Sequence, residues 1–225
     1  MDPITSALVK EFSTAQGITE YGEDKQFEHF AAHCIVSERY EDEFDTSDMV
    51  VGEGQDLNVD AFAIKINGRL ATDAEFIDDL VALNGYLEVE FIIIQAKTSS
   101  SFDGAALIAL GDNLANEIFA EHQTMPANQD VRRLIAMKER IFSHAGKLKE
   151  NPLCKVYYVC TGTWKDDEYL VAAIDRKKRD LLDTNLFSSV NFLPIGAREI
   201  QDLYRATRTS ISREITFSSL VTLPA

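Results

Sequence analysis

The sequence predicts an α/β domain, a central mixed β-sheet flanked by helices. Two runs, "VEFIIIQAK" at 89–97 and "CKVYYVC" at 154–160, are rich in β-branched and aromatic residues and hold no turn residue, which reads as buried strand. Around them lie segments whose apolar residues recur every three to four positions, the period of an amphipathic helix. The two patterns alternate along the chain, and that alternation is the mark of the class.

Each element follows in order. After a polar N-terminus, "DKQFEHFAAHCIVSERY" sets Phe27, Phe30, Ala31, Cys34 and Ile35 on one helical face. "SERYEDEFDTSD", 37–48, is a solvated acidic loop. Gly52 and Gly54 mark a turn, Val59 to Ile66 reads as a strand, and Asn67-Gly68 is a strong turn signal. A helix follows in "TDAEFIDDLVALNG", capped by Thr72 or Asp73 and stopped at Asn84-Gly85. The central strand covers about Tyr86 to Lys97. "DGAALIALGDNLANEIFAEH" and "NQDVRRLIAMKERIFSHAGKL" are helical, the second ending near Gly146. Beyond the strand "CKVYYVCTGT" come a helix in "DDEYLVAAIDRKKRDLLDTN", a strand in "SVNFLPIG" and a short helix in "REIQDLYRAT". "ISREITFSSLVTLPA" alternates like a strand and stops at Ala225, so a longer protein is expected, with the chain as its N-terminal part.

At 225 residues and 45% hydrophobic content, one domain over 1–225 is the simplest reading. The apolar runs are too short to span a bilayer and no signal peptide opens the chain, so no membrane partner and a cytoplasmic location are expected. Cys34, Cys154 and Cys160 read as buried free thiols. The net charge of −15 is uneven: residues 1–150 hold 28 acidic and 12 basic side chains, residues 151–225 hold 9 and 10. The average field repels a polyanion. Any nucleic-acid contact must be local, assisted by a divalent metal, or shared with other parts of a larger protein.

Chemistry gathers at the end of the central strand. Side chains alternate along a strand, so Gln95 and Lys97 share a face and Ala96 points away. Asp60 opens the preceding strand. If the two strands pair antiparallel, Asp60 stands beside Gln95 and Lys97. A hard cation such as Mg²⁺ or Mn²⁺ needs only one or two carboxylates. Asp60 supplies the charge, Gln95 and the Ala96 carbonyl neutral oxygens. Lys97 is placed to orient a water or stabilise a phosphoryl transition state. Glu90 has the opposite parity and lies roughly 17 Å from Gln95 along the strand, which excludes it. Asp56 reads as a turn residue or outer partner. Glu28, on the first helix, could reach the metal directly or through water.

The stretches "GEGQDLNVDAFAIKING" and "VEFIIIQAKTSSSFD" resemble the D-(x)n-QxK variant of the PD-(D/E)xK, restriction-endonuclease-like nucleases, which includes Mrr-type enzymes. More narrowly they resemble the N-terminal region of abortive-infection phage-resistance (AIPR) proteins, most closely over residues 25–120. The resemblance implies a restriction-endonuclease-like sheet and metal-dependent endonuclease activity, with DNA as the expected partner, in prokaryotic antiphage defence. It makes Asp60 the principal metal ligand, Gln95 the second ligand, Lys97 the catalytic lysine and Glu28 the helix-one glutamate. Glutamine in place of an acidic residue removes one negative charge from the site. A nuclease-like module that binds nucleic acid or a protein without cutting is therefore the alternative, ahead of a structural oligomerisation domain. Homodimerisation is left open.

Other motifs read more plainly. His29 and His33 have i, i+4 spacing, but Phe30 stands where a zinc protease needs glutamate, so satisfied histidines are expected. "GEGQDL" lacks the third glycine of a dinucleotide loop and serves as the turn before Asp60. "TSSS" could meet a phosphate, although capping of the next helix by Ser101 or Asp103 is the simpler reading. "DRKKRD", 175–180, is a solvated helix face or a phosphate patch, and Trp164 a packing residue.

Overall fold

A computed structural model describes residues 1–208, and the expected C-terminal strand lies outside them. The sheet contains β1 (Ala61–Ile66), β2 (Arg69–Leu70), β3 (Val89–Lys97), β4 (Leu153–Cys160) and β5 (Ser189–Ile195) in the order β2-β1-β3-β4-β5. β1 runs antiparallel to β2 and β3, whereas β4 and β5 continue parallel to β3, so the sheet is mixed as expected. Asn67 and Gly68, at φ 51° and 82°, make the tight β1–β2 hairpin, which needs two left-handed residues.

Helices cover both faces, which explains why β3 is apolar without alternation. On one face α1 (Pro3–Gln16), α2 (Glu23–Ser37) and α7 (Ala197–Thr207) pack Phe12, Phe27, Phe30 and Tyr204 against Ile92, Ile94 and Ala96. On the other, α3 (Ala74–Asn84), α4 (Gly104–Asn113), α5 (Gln129–Ser143) and α6 (Glu168–Leu182) set Ile77, Leu110, Leu134 and Leu181 against Phe91 and Ile93. Even and odd residues of β3 thus feed two separate cores. All three cysteines are buried and free.

Sequence and structure differ at the N-terminus, where α1 replaces the polar segment. Its signals are local: Asp2 accepts from the Ile4 and Thr5 amides, Pro3 opens the first turn, and Gly17 closes the helix at φ 70°. α4 also ends early, passing into a π-helical turn at Leu114–Ile118. Asp73 caps α3 and Asp103 caps α4, choosing between the paired expectations for each. No helix among the described residues is long and apolar enough to cross a membrane.

Candidate active site

The site is built where β1 begins and β3 ends. Ala61 pairs with Ile94, and the next bonded pair in that register would set Ala96 against Val59. The ladder breaks there instead. The Val59 amide turns back to the Asp56 carbonyl at 3.0 Å, and the Asp60 side chain takes the place of a strand acceptor. Asp60 Oδ2 accepts from the Ala96 amide at 2.8 Å and from Lys97 Nζ at 3.0 Å, with Oδ1 3.3 Å from the same ammonium. Asp60 and Lys97, 37 positions apart, therefore meet as the parity argument requires.

Asp60 is only 7% exposed. Burial raises its carboxyl above the usual range, while Lys97 and the Ala96 amide pull the other way. Glu28, on α2, lines the same cleft of about 600 Å³ as Asp60, Ala96 and Lys97. Its Oε2 lies 2.5 Å from Lys25 Nζ, one helical turn back. Burial, reinforced by the Asp60 charge and opposed by Lys25 and Lys97, pushes the Glu28 carboxyl up to about 7. The structure thus brings Asp60, Lys97, Glu28 and the Ala96 backbone together.

Gln95 is placed differently. It lies one step beyond the Ala61–Ile94 pair, next to Asp60, and pairs with Tyr158 of β4 on its other side. It is fully buried, and both amide atoms lack a hydrogen-bond partner. It does not line the cleft. The expectation that Gln95 and Lys97 emerge together holds for the lysine alone: Lys97 ends β3 and is partly exposed, whereas Gln95, two residues earlier on the same face, is wholly buried.

The loop delivering Asp60 is held from behind. Gln55, Leu57 and Asn58 all have positive φ, near 54°, 54° and 64°, conformations that cost energy without glycine and persist only where surroundings impose them. Asn128, the cap of α5, donates to the Gly52 and Gly54 carbonyls at 2.8 and 3.1 Å, and its amide reaches the Gln55 carbonyl at 2.9 Å. Asp130 accepts from the Gly52 amide at 2.9 Å, and Asn113 donates to the Leu57 carbonyl at 3.0 Å. Asp56 accepts from the Asn58 amide at 2.7 Å, the turn role considered for it. A latch on the far side joins Thr98 to Asp24 at the start of α2, 2.5 Å between oxygens. Asn113, Asn128 and Lys25 were missed in the sequence. Only Lys25 had a usable signal there, its i, i+3 spacing to Glu28.

Of the remaining motifs, "TSSS" lines the cleft through Thr98, Ser99 and Ser101, and the others have structural partners of their own. His29 bonds Thr46 Oγ1 at 2.8 Å, and His33 packs among Phe12, Phe44 and Tyr204. Glu90 faces the α2 side of the sheet, bound by Arg39, Lys65 and Lys155, each at 2.9 Å. In "DRKKRD", Lys177 is buried between Asp112 and Asp180 at 2.6 and 2.7 Å, which withdraws one charge from any phosphate patch. Trp164 meets the Phe102 ring edge-on at 4.9 Å, a packing contact.

Among the described residues, no group of three or more His, Cys, Asp or Glu side chains is arranged to hold a metal. The donors that are present still suit a hard divalent cation. The Asp60 and Glu28 carboxylates share the cleft with Ala96, whose backbone carbonyl is a further oxygen, and the Gln95 amide next to it is buried without a partner. Mg²⁺ commonly takes one or two carboxylates and fills its remaining positions with water and phosphate oxygens. Comparison with protein-family models, curated proteins and solved structures returns no match for this chain.

Proposed function

We propose that this domain is a metal-dependent nuclease of the PD-(D/E)xK type, hydrolysing phosphodiester bonds in DNA, in the antiphage setting suggested by its AIPR resemblance. The observation that carries the reading is the Asp60–Lys97 contact of 3.0 Å at the end of β3, inside a cleft shared with Glu28. Asp60 and Glu28 would hold Mg²⁺ or Mn²⁺, with the Ala96 carbonyl as a neutral oxygen donor; Gln95, buried outside the cleft, would join them only by turning into it. Once bound, the cation supplies positive charge to a phosphoryl group and acidifies water. Lys97 hydrogen-bonds Asp60 from a partly exposed position, so it can turn toward an attacking water or a non-bridging phosphate oxygen. The clamped 52–58 loop and the Ala96 amide keep the Asp60 carboxylate in one orientation, which preorganises the site.

The test is cleavage of plasmid DNA and structured RNA in Mg²⁺, Mn²⁺ or EDTA. Cleavage should require metal and fall at least about a hundredfold in both Asp60→Ala and Lys97→Ala. Activity persisting in both variants would remove the assignment. A second reading, a nuclease-fold module that binds without cutting, is favoured by the withdrawal of Gln95 from the cleft and by the acidic balance of the chain. Binding without cleavage at every metal concentration would establish it.

A further inference from the structure

The cleft contains a second ammonium, which the nuclease reading leaves without a role. Lys25 Nζ lies 2.5 Å from Glu28 Oε2 and donates to the Val51 carbonyl at 2.8 Å. It lines the same cleft as Lys97. Two lysine–carboxylate pairs therefore share one cavity, Lys97 on Asp60 and Lys25 on Glu28. In each pair the carboxylate is the group that a cation would claim, and the ammonium is the group that a phosphate would claim. Asp24, Glu53, Asp56 and Asp103 also line the cleft, so a polyanion approaching it without metal meets an excess of negative charge.

We infer that Lys25 is a phosphate-binding residue held in reserve by Glu28, released to nucleic acid when a divalent cation takes the glutamate. The inference rests on the reading that the cleft holds such a cation. It requires that cation and nucleic acid bind with positive coupling, because the metal removes the lysine's partner and part of the repulsive charge together. It also sets Lys25 apart from an ordinary helix-surface lysine. Its removal has opposite effects on the two ligands: Glu28 is left free for the cation, and the phosphate loses a contact.

The experiment measures Mn²⁺ binding by calorimetry and binding of a fluorescent DNA duplex by anisotropy, in Ca²⁺ and in EDTA. Wild type, Lys25→Gln, Lys25→Arg and Asp60→Ala are compared after their melting temperatures have been matched. Lys25→Gln should bind Mn²⁺ severalfold more tightly and DNA in Ca²⁺ about tenfold more weakly, with the salt slope reduced by about one and no change in EDTA. Lys25→Arg should restore DNA affinity. If Lys25→Gln weakens both ligands, or leaves DNA affinity unchanged, the role assigned to Lys25 is wrong while the metal reading survives. Wild type that takes up no Mn²⁺, or Asp60→Ala that takes up as much, overturns the metal reading itself and this inference with it. Should Lys25→Gln melt early, Lys25→Arg decides alone: a DNA affinity below one-tenth of wild type with normal Mn²⁺ uptake overturns the inference, and a retained affinity supports it.

Discussion

Glu28 shows how a single side chain can work against the fold that carries it. Its carboxyl stands near 7 in the folded chain against 4.5 for the free group, chiefly because burial disfavours the charge. A raised carboxyl stabilises the protein only while protonated. The contribution is complete below about pH 4.5 and is lost as pH rises through 7. Over that window the loss amounts to roughly 3 kcal/mol. Metal-free Glu28→Gln should therefore be more stable than wild type at pH 8, with a flatter profile between pH 4.5 and 7, measured by urea unfolding in EDTA. The same variant should lose cleavage. Stability gained with activity lost is the signature of a group kept for function.

At the level of elements, α5 is both a packing surface, through Val131, Leu134, Met137 and Ile141, and the anchor of the Asp60 loop. Asn128 caps the helix by accepting from the Val131 amide at 3.0 Å and spends its two amide protons on Gly52 and Gly54. Asn128→Ala removes the cap and both loop bonds. It should cost about 1–2 kcal/mol in urea unfolding and lower metal-dependent cleavage more than that loss of stability explains. An equal loss of stability with full cleavage would show that the loop holds Asp60 without help. The helix was legible in the sequence from its period, and so were α2, α3 and α6. The anchoring was not, because Asn128 and Gly54 are 74 positions apart and nothing local signals their contact.

Across the whole molecule, the sheet is tied at its other end by a charge cluster. Glu90 of β3 is buried and binds Arg39 beyond α2, Lys65 of β1 and Lys155 of β4, all at 2.9 Å. Glu90→Gln would leave three cations facing one another with limited access to water. The expected cost is about 3 kcal/mol, the low end for a broken buried pair because the cations stay partly solvated. A melting curve and urea titration would measure it. A change below about 0.5 kcal/mol would mean that the cations relax into solvent without penalty. Glu90 is thus absorbed by stability at one end of β3, while Asp60 and Lys97 meet at the other.

Much of this could be read from the chain alone. Strand parity separated Gln95 and Lys97 from Glu90, because a period of two leaves no freedom over which face a residue takes. The turn signals at Gly52–Gly54 and Asn67-Gly68 placed Asp60 at the start of a strand. Tertiary structure alone decided that the ladder breaks at Val59 so that Asp60 can accept from Ala96, that Gln95 is wholly buried, and that Lys25 holds Glu28. The reason is physical. Local pattern specifies the direction of a side chain, but burial and partner depend on which distant segment packs over it, and that is settled only when both cores close.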